Sequence, residues 1–205
     1  MSAVFFSSVG SAGADWVDEH RAINLDHVAI IDLEVFGIYR APERTAGRDD
    51  NWARMESALA MLHEQRLGDC RVVAEDGRAV RCSKRILQAR WTWYKDRSAT
   101  CSGDTIRISE SYPIVMAFLE YLYTLDLVTV LQHRVPVLSG LLMLAKQYAI
   151  PHLMALAVHA LHGRLEEDTA LAIYEVATLC ECVSLQVRAL KLVLVSRARG
   201  FAGMS

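Results

Sequence analysis

The chain of 205 residues has room for one domain of ordinary size and an appendage, and its composition, 53% hydrophobic and 22% charged, excludes a disordered protein. The formal net charge of −2 gives no general attraction to nucleic acid or to an acidic membrane. The five cysteines are odd in number and lack C-x-x-C spacing, so no disulfide framework is expected. No run approaches the ~18 uncharged apolar residues of a membrane span, and no signal peptide is expected, so the predicted compartment is the cytoplasm or the nucleus.

Residues 1–50 are predicted to form a separate N-terminal segment. Residues 1–25 show no periodicity, which predicts mostly loop, whereas residues 27–33 and 35–39 have the β-branched and aromatic content of two strands. The stretch 25–39 is similar to part of a kelch propeller blade, which implies a remnant or a piece of a larger kelch protein. The alternative is a β-hairpin that decorates the sheet of the next domain. A charged linker at 41–50, containing Pro42 and Gly47, marks the boundary.

A helix is predicted from Asn51 to about Arg66. Asp50 or Asn51 can cap it, and Gly68 is predicted to end it in a left-handed conformation. Its apolar residues recur at helical spacing and form one stripe, made of Trp52, Met55, Leu59 and Leu62.

The next sixty residues alternate between strand and helix patterns. Residues 69–73 and 78–82 alternate on either side of a Gly-containing turn and predict a β-hairpin. Residues 83–94 change to helical spacing, residues 104–109 alternate again, and residues 112–124 predict a helix capped by Ser109 or Ser111 with Pro113 in its first turn.

This order of residues resembles the BTB/POZ family over residues 52–163. The features that carry the resemblance are Asp69 before the first strand, the hairpin, the pairs at 83–84 and 86–87, the aromatic cluster of Trp91, Trp93 and Tyr94, and the helix ending at residues 118–124 with residues 141–148 and Leu153 after it. The resemblance implies an α+β domain at 51–163, a small mixed sheet flanked by helices. The residues at Cys82 and 91–94 are similar to those of fungal members.

The rest of the chain is predicted to be mostly helical. Residues 126–131 are a candidate edge strand, and helices are predicted to start at Pro136 and Pro151 and to form a helical hairpin. Two further helices, at 166–177 and 184–196, make residues 164–198 similar to the start of a BACK region. Residues 199–205 form a tail, and the chain from 197 onward is expected to fray.

The resemblance also implies a dimer seam. In BTB domains the helix with the Trp52, Met55, Leu59 and Leu62 stripe packs across a second copy, and an acid and a base, here Asp69 and Lys84, lie in a shallow pocket at the seam. The base is usually preceded by His, whereas Ser83 stands there in this chain. The alternative is that Asp69 caps local backbone and Lys84 is solvated.

The helix at 112–124 is apolar around most of its circumference, so part of it is expected to face a partner. In BTB adaptors the corresponding surface receives a cullin scaffold, and the matching residues here are Met116, Glu120, Tyr123 and Thr124. The alternative is a helix wholly buried in its own chain.

Patterns of catalysis and of cofactor binding are missing from the sequence. His152, His159 and His162 lack further ligands at metal spacing, Cys180 and Cys182 lack redox spacing, and the aromatics among the basic residues 81–97 are expected in the core rather than on nucleic acid. We therefore expect that the chain is not an enzyme, and that it binds no cofactor, metal, nucleic acid or membrane.

The predicted function is a self-associating adaptor that binds an unknown client and a cullin-type ubiquitin ligase. The alternatives are a signalling or cytoskeletal scaffold, and a transcriptional regulator without its DNA-binding part.

Overall fold

The computed structural model describes residues 2–7, 27–39, 41–42, 49–64, 68–98 and 104–202. The fold is α+β, as predicted. The strands are β1 (Ser2–Ser7), β2 (His27–Asp32), β3 (Cys70–Val73), β4 (Ala79–Cys82) and β5 (Thr105–Arg107). The helices are α1 (Asp49–Glu64), α2 (Lys84–Arg90), α3 (Thr92–Ser98), α4 (Tyr112–Thr124), α5 (Val135–Gln147), α6 (Pro151–His162), α7 (Ala170–Leu179) and α8 (Val183–Ala202).

Several sequence-based expectations lie outside the described residues. They are the loop at 8–26, the linker at 43–48, the helix end near Arg66, Cys101, and the last residues of the tail, 203–205.

The N-terminal sheet differs from the prediction. Residues 2–7, expected to be loop, form β1, which pairs antiparallel with β2 in a two-stranded sheet separate from the central one. The second expected strand, at 35–39, does not form. A 3-10 helix, Leu33–Phe36, takes its place because the Asp32 carboxylate accepts a hydrogen bond from the Glu34 backbone N–H and Gly37 adopts a left-handed conformation at φ +80°.

The central sheet has the order β4-β3-β5. The predicted hairpin is confirmed: β3 and β4 pair antiparallel, and Gly77 at φ +83° occupies the turn. The predicted third strand is also confirmed, in a shorter form, and it pairs parallel to β3. The connection from β4 to β5 contains α2 and α3, which are separate helices because Trp91 between them is extended. Alternate residues of β3 and β4 are buried, so one face of the sheet packs on the helices.

Helix α4 is the centre of the core. Its bounds match the predicted helix, and every residue from Val115 to Tyr123 is buried because α1, α2 and α5 pack around it. The aromatic cluster lies beside it. Trp91 is fully buried, in edge-to-face contact with Phe118 and Tyr148 and stacked on Trp93, so the predicted core role of these aromatics is confirmed.

The predicted edge strand at 126–131 is wrong. The chain turns there around the buried side chain of Gln132, whose Oε1 accepts hydrogen bonds from the backbone N–H groups of Val128 (2.7 Å) and Thr129 (2.9 Å). The Gln132 Nε2 group donates to the carbonyl of Ala117 on α4 (3.0 Å). Because the turn's N–H groups bond to one side chain, they are not available to a neighbouring strand.

The predicted helical hairpin and extension form with shifted ends. α7 begins at Ala170 rather than at residue 166, since the Thr169 hydroxyl accepts from the Glu166 N–H and donates to the Arg164 carbonyl, which holds residues 164–169 as a turn. α8 continues to Ala202, beyond the predicted end at residue 196. In the described part of the chain no helix combines the length and the apolar character needed to cross a membrane.

Candidate functional site

The predicted interaction stripe on α1 is divided between the core and the surface. Leu62 is fully buried in the core cluster that contains α4, and Met55, only 4% exposed, is buried outside that cluster. Trp52 is 61% exposed, and Leu59, seven residues along and therefore on the same side of the helix, is half-buried. The surface that α1 can offer to another chain is therefore the flank of Trp52 and Leu59. The helix begins at Asp49, so the two expected caps, Asp50 and Asn51, lie inside it.

Gly68 follows α1 but is not in a left-handed conformation, which corrects the predicted helix cap. A Cβ atom added at Gly68 would lie 2.7 Å from both the Cβ of Arg81 and the backbone nitrogen of Cys82. The glycine is required because the chain passes directly against β4 at this point.

Asp69 and Lys84 meet, but not as the predicted side-chain pair. The Asp69 carboxylate accepts a hydrogen bond from the Lys84 backbone N–H (2.7 Å) and so binds the first turn of α2. The Lys84 ammonium pairs instead with Asp104, which raises the pKa of Lys84. The alternative reading of Asp69 as a backbone cap is the one observed. A cavity of about 400 Å³ does open there, lined by Asp69, Arg71, Arg81 and Asp104 among others.

The predicted scaffold surface on α4 is not exposed. Met116, Glu120 and Tyr123 are buried, and Thr124 is half-buried. Glu120 accepts a hydrogen bond from the Thr129 hydroxyl (2.7 Å) and lies 3.5 Å from the ring of His63 on α1. The Tyr123 hydroxyl accepts from the Ser83 backbone N–H (2.8 Å). The expectation that part of this helix faces a partner is therefore wrong for these three residues, since neighbouring elements already contact them.

Two strand cysteines face each other across the hairpin. Cys70 and Cys82 are register partners of β3 and β4, and both are buried. Hydrogen bonding between the thiols lowers the pKa of Cys70 to about 7 and raises that of Cys82. The other described cysteines, Cys180 and Cys182, are also unpaired and buried, as expected for small apolar residues.

A second cluster, which the sequence did not indicate, joins Tyr39 to α6 and α8. The Tyr39 ring stacks on His162 with centroids 3.9 Å apart, and its hydroxyl lies 2.8 Å from the Nδ1 atom of His159. The guanidinium of Arg188 lies 2.9 Å from the Nδ1 atom of His162. No sequence pattern could place a tyrosine from the N-terminal segment against histidines 120 residues later.

The geometry fixes the proton on His162. Because a guanidinium only donates, Nδ1 must accept from Arg188 and the ring proton must lie on Nε2. The Nε2 atom is buried and has no hydrogen-bond partner among the described residues. Desolvation first, and then the positive charge of Arg188 and the neighbouring His159, lower the pKa of His162 to about 4.

Acid is therefore expected to destabilise the fold through His162. The unfolded chain takes up a proton near the ordinary pKa of 6.5 and the folded one only near 4, so stability is complete above 6.5 and falls as the pH drops between these values. The loss from this one residue is at most about 3 kcal/mol. Urea denaturation at a series of pH values, with His162→Gln as the comparison, should show a shallower acid slope in the variant. An NMR titration in which the His162 ring protonates near 6.5 would contradict the assignment.

Among the described residues, no group of three or more metal-ligating side chains comes together. The Nδ1 atom of His152, the third histidine of α6, lies 3.1 Å from the hydroxyl of Tyr121.

Comparison with known proteins gives a distant likeness. No protein-family model matches the sequence. The chain is similar to the protein ral2 of Schizosaccharomyces pombe, with 26% identity over 206 residues that cover 83% of this chain and 32% of that protein. The chain thus spans about a third of the length of this curated relative.

Proposed function

We propose that the chain is a protein–protein interaction module of the BTB type that self-associates and acts as an adaptor, rather than an enzyme. The observation that carries the proposal is Trp52, a large aromatic side chain that is 61% exposed on the helix predicted to cross a dimer partner. Aromatic residues are enriched in the cores of protein–protein interfaces. The small mixed sheet flanked by helices also supports it.

The resemblance assigns the cavity beside Asp69 to the same seam as Trp52 and Leu59. Arg71, Arg81 and Asp104 line that cavity with Asp69, so both signs of charge are present. Such a surface can pair with a second copy of itself, because a two-fold interface sets one residue of each copy against a different residue of the other, so that an acid of each copy can meet a base of the other. The Asp69 carboxylate is already bonded to the Lys84 backbone, so it would support the seam by shaping the pocket.

Recruitment of clients to a cullin-type ubiquitin ligase stays a prediction that rests on the BTB resemblance. Its predicted residues on α4 are enclosed, which leaves Thr124 as the half-exposed member of the set. The scaffold role in signalling or the cytoskeleton also stays a prediction. We propose the cytoplasm or the nucleus as the setting, a compartment that suits four described cysteines without a disulfide.

Self-association is tested by charging the exposed flank of α1. We expect Trp52→Asp to convert a dimer to a monomer. Burying an unpaired carboxylate at the centre of an interface has a large desolvation penalty, which outweighs the free energy of association. The position lies in the first turn of α1, where a negative charge is tolerated, so the fold should be kept. Light scattering gives the mass and thermal denaturation the stability.

Met61 supplies the matched control. It is 50% exposed on the same helix but nine residues from Trp52, on the opposite flank. Met61→Asp should leave the dimer intact. A monomeric unsubstituted chain, or equal dissociation by the two substitutions, would contradict an interface on the Trp52 flank.

A further inference from the structure

A cavity of about 540 Å³ lies where the N-terminal segment meets the helical extension. Its walls come from Tyr39, from the turn after α4, from the end of α6 and from α8. This volume is that of a small-molecule site, and side chains from four separate elements converge on it. It is distinct from the proposed seam, whose residues line a different cavity.

The charged groups on the cavity wall are mostly cationic. Arg164 and Arg188 line it together with His159 and His162. Within the described part of the chain, Asp126 is the one lining residue with a carboxylate. The Asp126 carboxylate is buried and already accepts from the Leu127 backbone N–H (2.8 Å). Two guanidinium groups against one carboxylate leave a net positive charge on this wall, apart from any contribution of the histidines.

Hydrogen-bond donors on this wall outnumber the acceptors they have. The Arg164 guanidinium forms no hydrogen bond or ion pair with any described residue. Among the described residues the Arg188 guanidinium, which has five N–H groups, forms one side-chain hydrogen bond, to His162. His162 is 6% exposed, and its Nε2 proton is a buried donor with no acceptor among the described residues. Buried donors are normally paired, so an unpaired one on this wall adds to its shortage of acceptors.

We propose that this cavity binds the oxyanion of a phosphomonoester, held by Arg164 and Arg188. The donors approach from the turn after α6 and from α8, and a tetrahedral group with three oxygens can accept from several directions at once, whereas a planar carboxylate has only two oxygens. His159 adds a further donor when its Nδ1 accepts from the Tyr39 hydroxyl, because the ring proton then lies on Nε2. Asp126 opposes the anion and limits its affinity. This site does not depend on self-association.

The test is calorimetric titration of the full chain, at constant ionic strength, with inorganic phosphate and with a short peptide carrying one phosphoserine. Saturable binding of phosphate is expected. Tighter binding of the phosphopeptide than of phosphate would support the site and identify a phosphorylated protein as the source of the phosphate group. Equal binding of the two would support the site and identify a small phosphorylated molecule as the source. An absence of saturable binding in both arms overturns the proposal.

Three substitutions place the binding in the cavity. Arg164→Gln should weaken binding by about tenfold or more, because a charge-assisted hydrogen bond is lost. Asp126→Asn keeps the oxygen that accepts from Leu127 and removes the repulsion, so it should tighten binding. Lys191→Gln removes one exposed charge from α8 outside the cavity and should have no effect. Equal weakening by Arg164→Gln and Lys191→Gln would show general charge attraction and overturn the site, and thermal denaturation of each variant checks that the fold is retained.

Discussion

Replacement of Trp91 by alanine is expected to cost about 3–5 kcal/mol of unfolding free energy, the range for truncating a large buried aromatic. Trp91 is fully buried and contacts Phe118 edge-to-face at 5.1 Å and Tyr148 at 4.8 Å between ring centroids. The cavity left behind would lie between α4 and the hairpin of α5 and α6, so the core could not close over it without moving several elements. Urea denaturation followed by circular dichroism measures the loss.

The same residue type elsewhere in the chain supplies the control. Trp52→Ala removes an equally large ring from an exposed position. At a protein concentration low enough for the chain to be monomeric, it should change the unfolding free energy by no more than about 0.5 kcal/mol. If Trp91→Ala does not fold, Trp91→Phe keeps a ring and removes an indole N–H that has no described partner, so a smaller loss is expected. Equal stabilities for Trp91→Ala and Trp52→Ala would contradict the position of Trp91 in the core.

Replacement of Gln132 by leucine is expected to cost about 2–4 kcal/mol, because three backbone partners lose their hydrogen bonds while the volume stays similar. The amide holds Val128 and Thr129 on one side and α4 on the other. A second loss follows, since the turn also positions the Thr129 hydroxyl that donates to the buried Glu120 carboxylate. A carboxylate with fewer donors in the core is costly.

Gln147→Leu is the matched control, because it makes the same change at an exposed position on α5. Its effect should stay within about 0.5 kcal/mol. A Gln132→Leu protein as stable as the Gln147→Leu protein would show that the turn does not depend on this amide. Hydrogen exchange at Val128 and Thr129 gives a local measurement, and faster exchange is expected in the Gln132 variant alone.

The parts of the fold predicted well are those with local signals. Alternation on either side of Gly77 defines the β3–β4 hairpin, and Pro113 in a first turn defines the start of α4. The turn at 126–131 could not be distinguished from a strand, since its apolar residues fit both and the decision depends on a side chain that bonds to backbone three and four residues away. β1 was missed because its partner, β2, follows about twenty residues later.

The candidate sites were harder to predict because burial depends on the whole fold. Helical spacing on α1 identified an apolar stripe, yet only the folded chain shows that Met55 is enclosed and Trp52 is not. For α4 the pattern indicated too much apolar surface for one face, and this chain itself covers the helix from Val115 to Tyr123. The cationic cavity depends on Tyr39, which has no local motif.

The stacking of Tyr39 on His162 has a practical consequence for any shortened version of the protein. A fragment starting at residue 51, where composition places a boundary, would lack this aromatic cover. Water would then reach the imidazole, and its affinity for protons would return toward that of a free histidine. Such a fragment would differ from the parent at the far end of its sequence, more than a hundred residues from the cut.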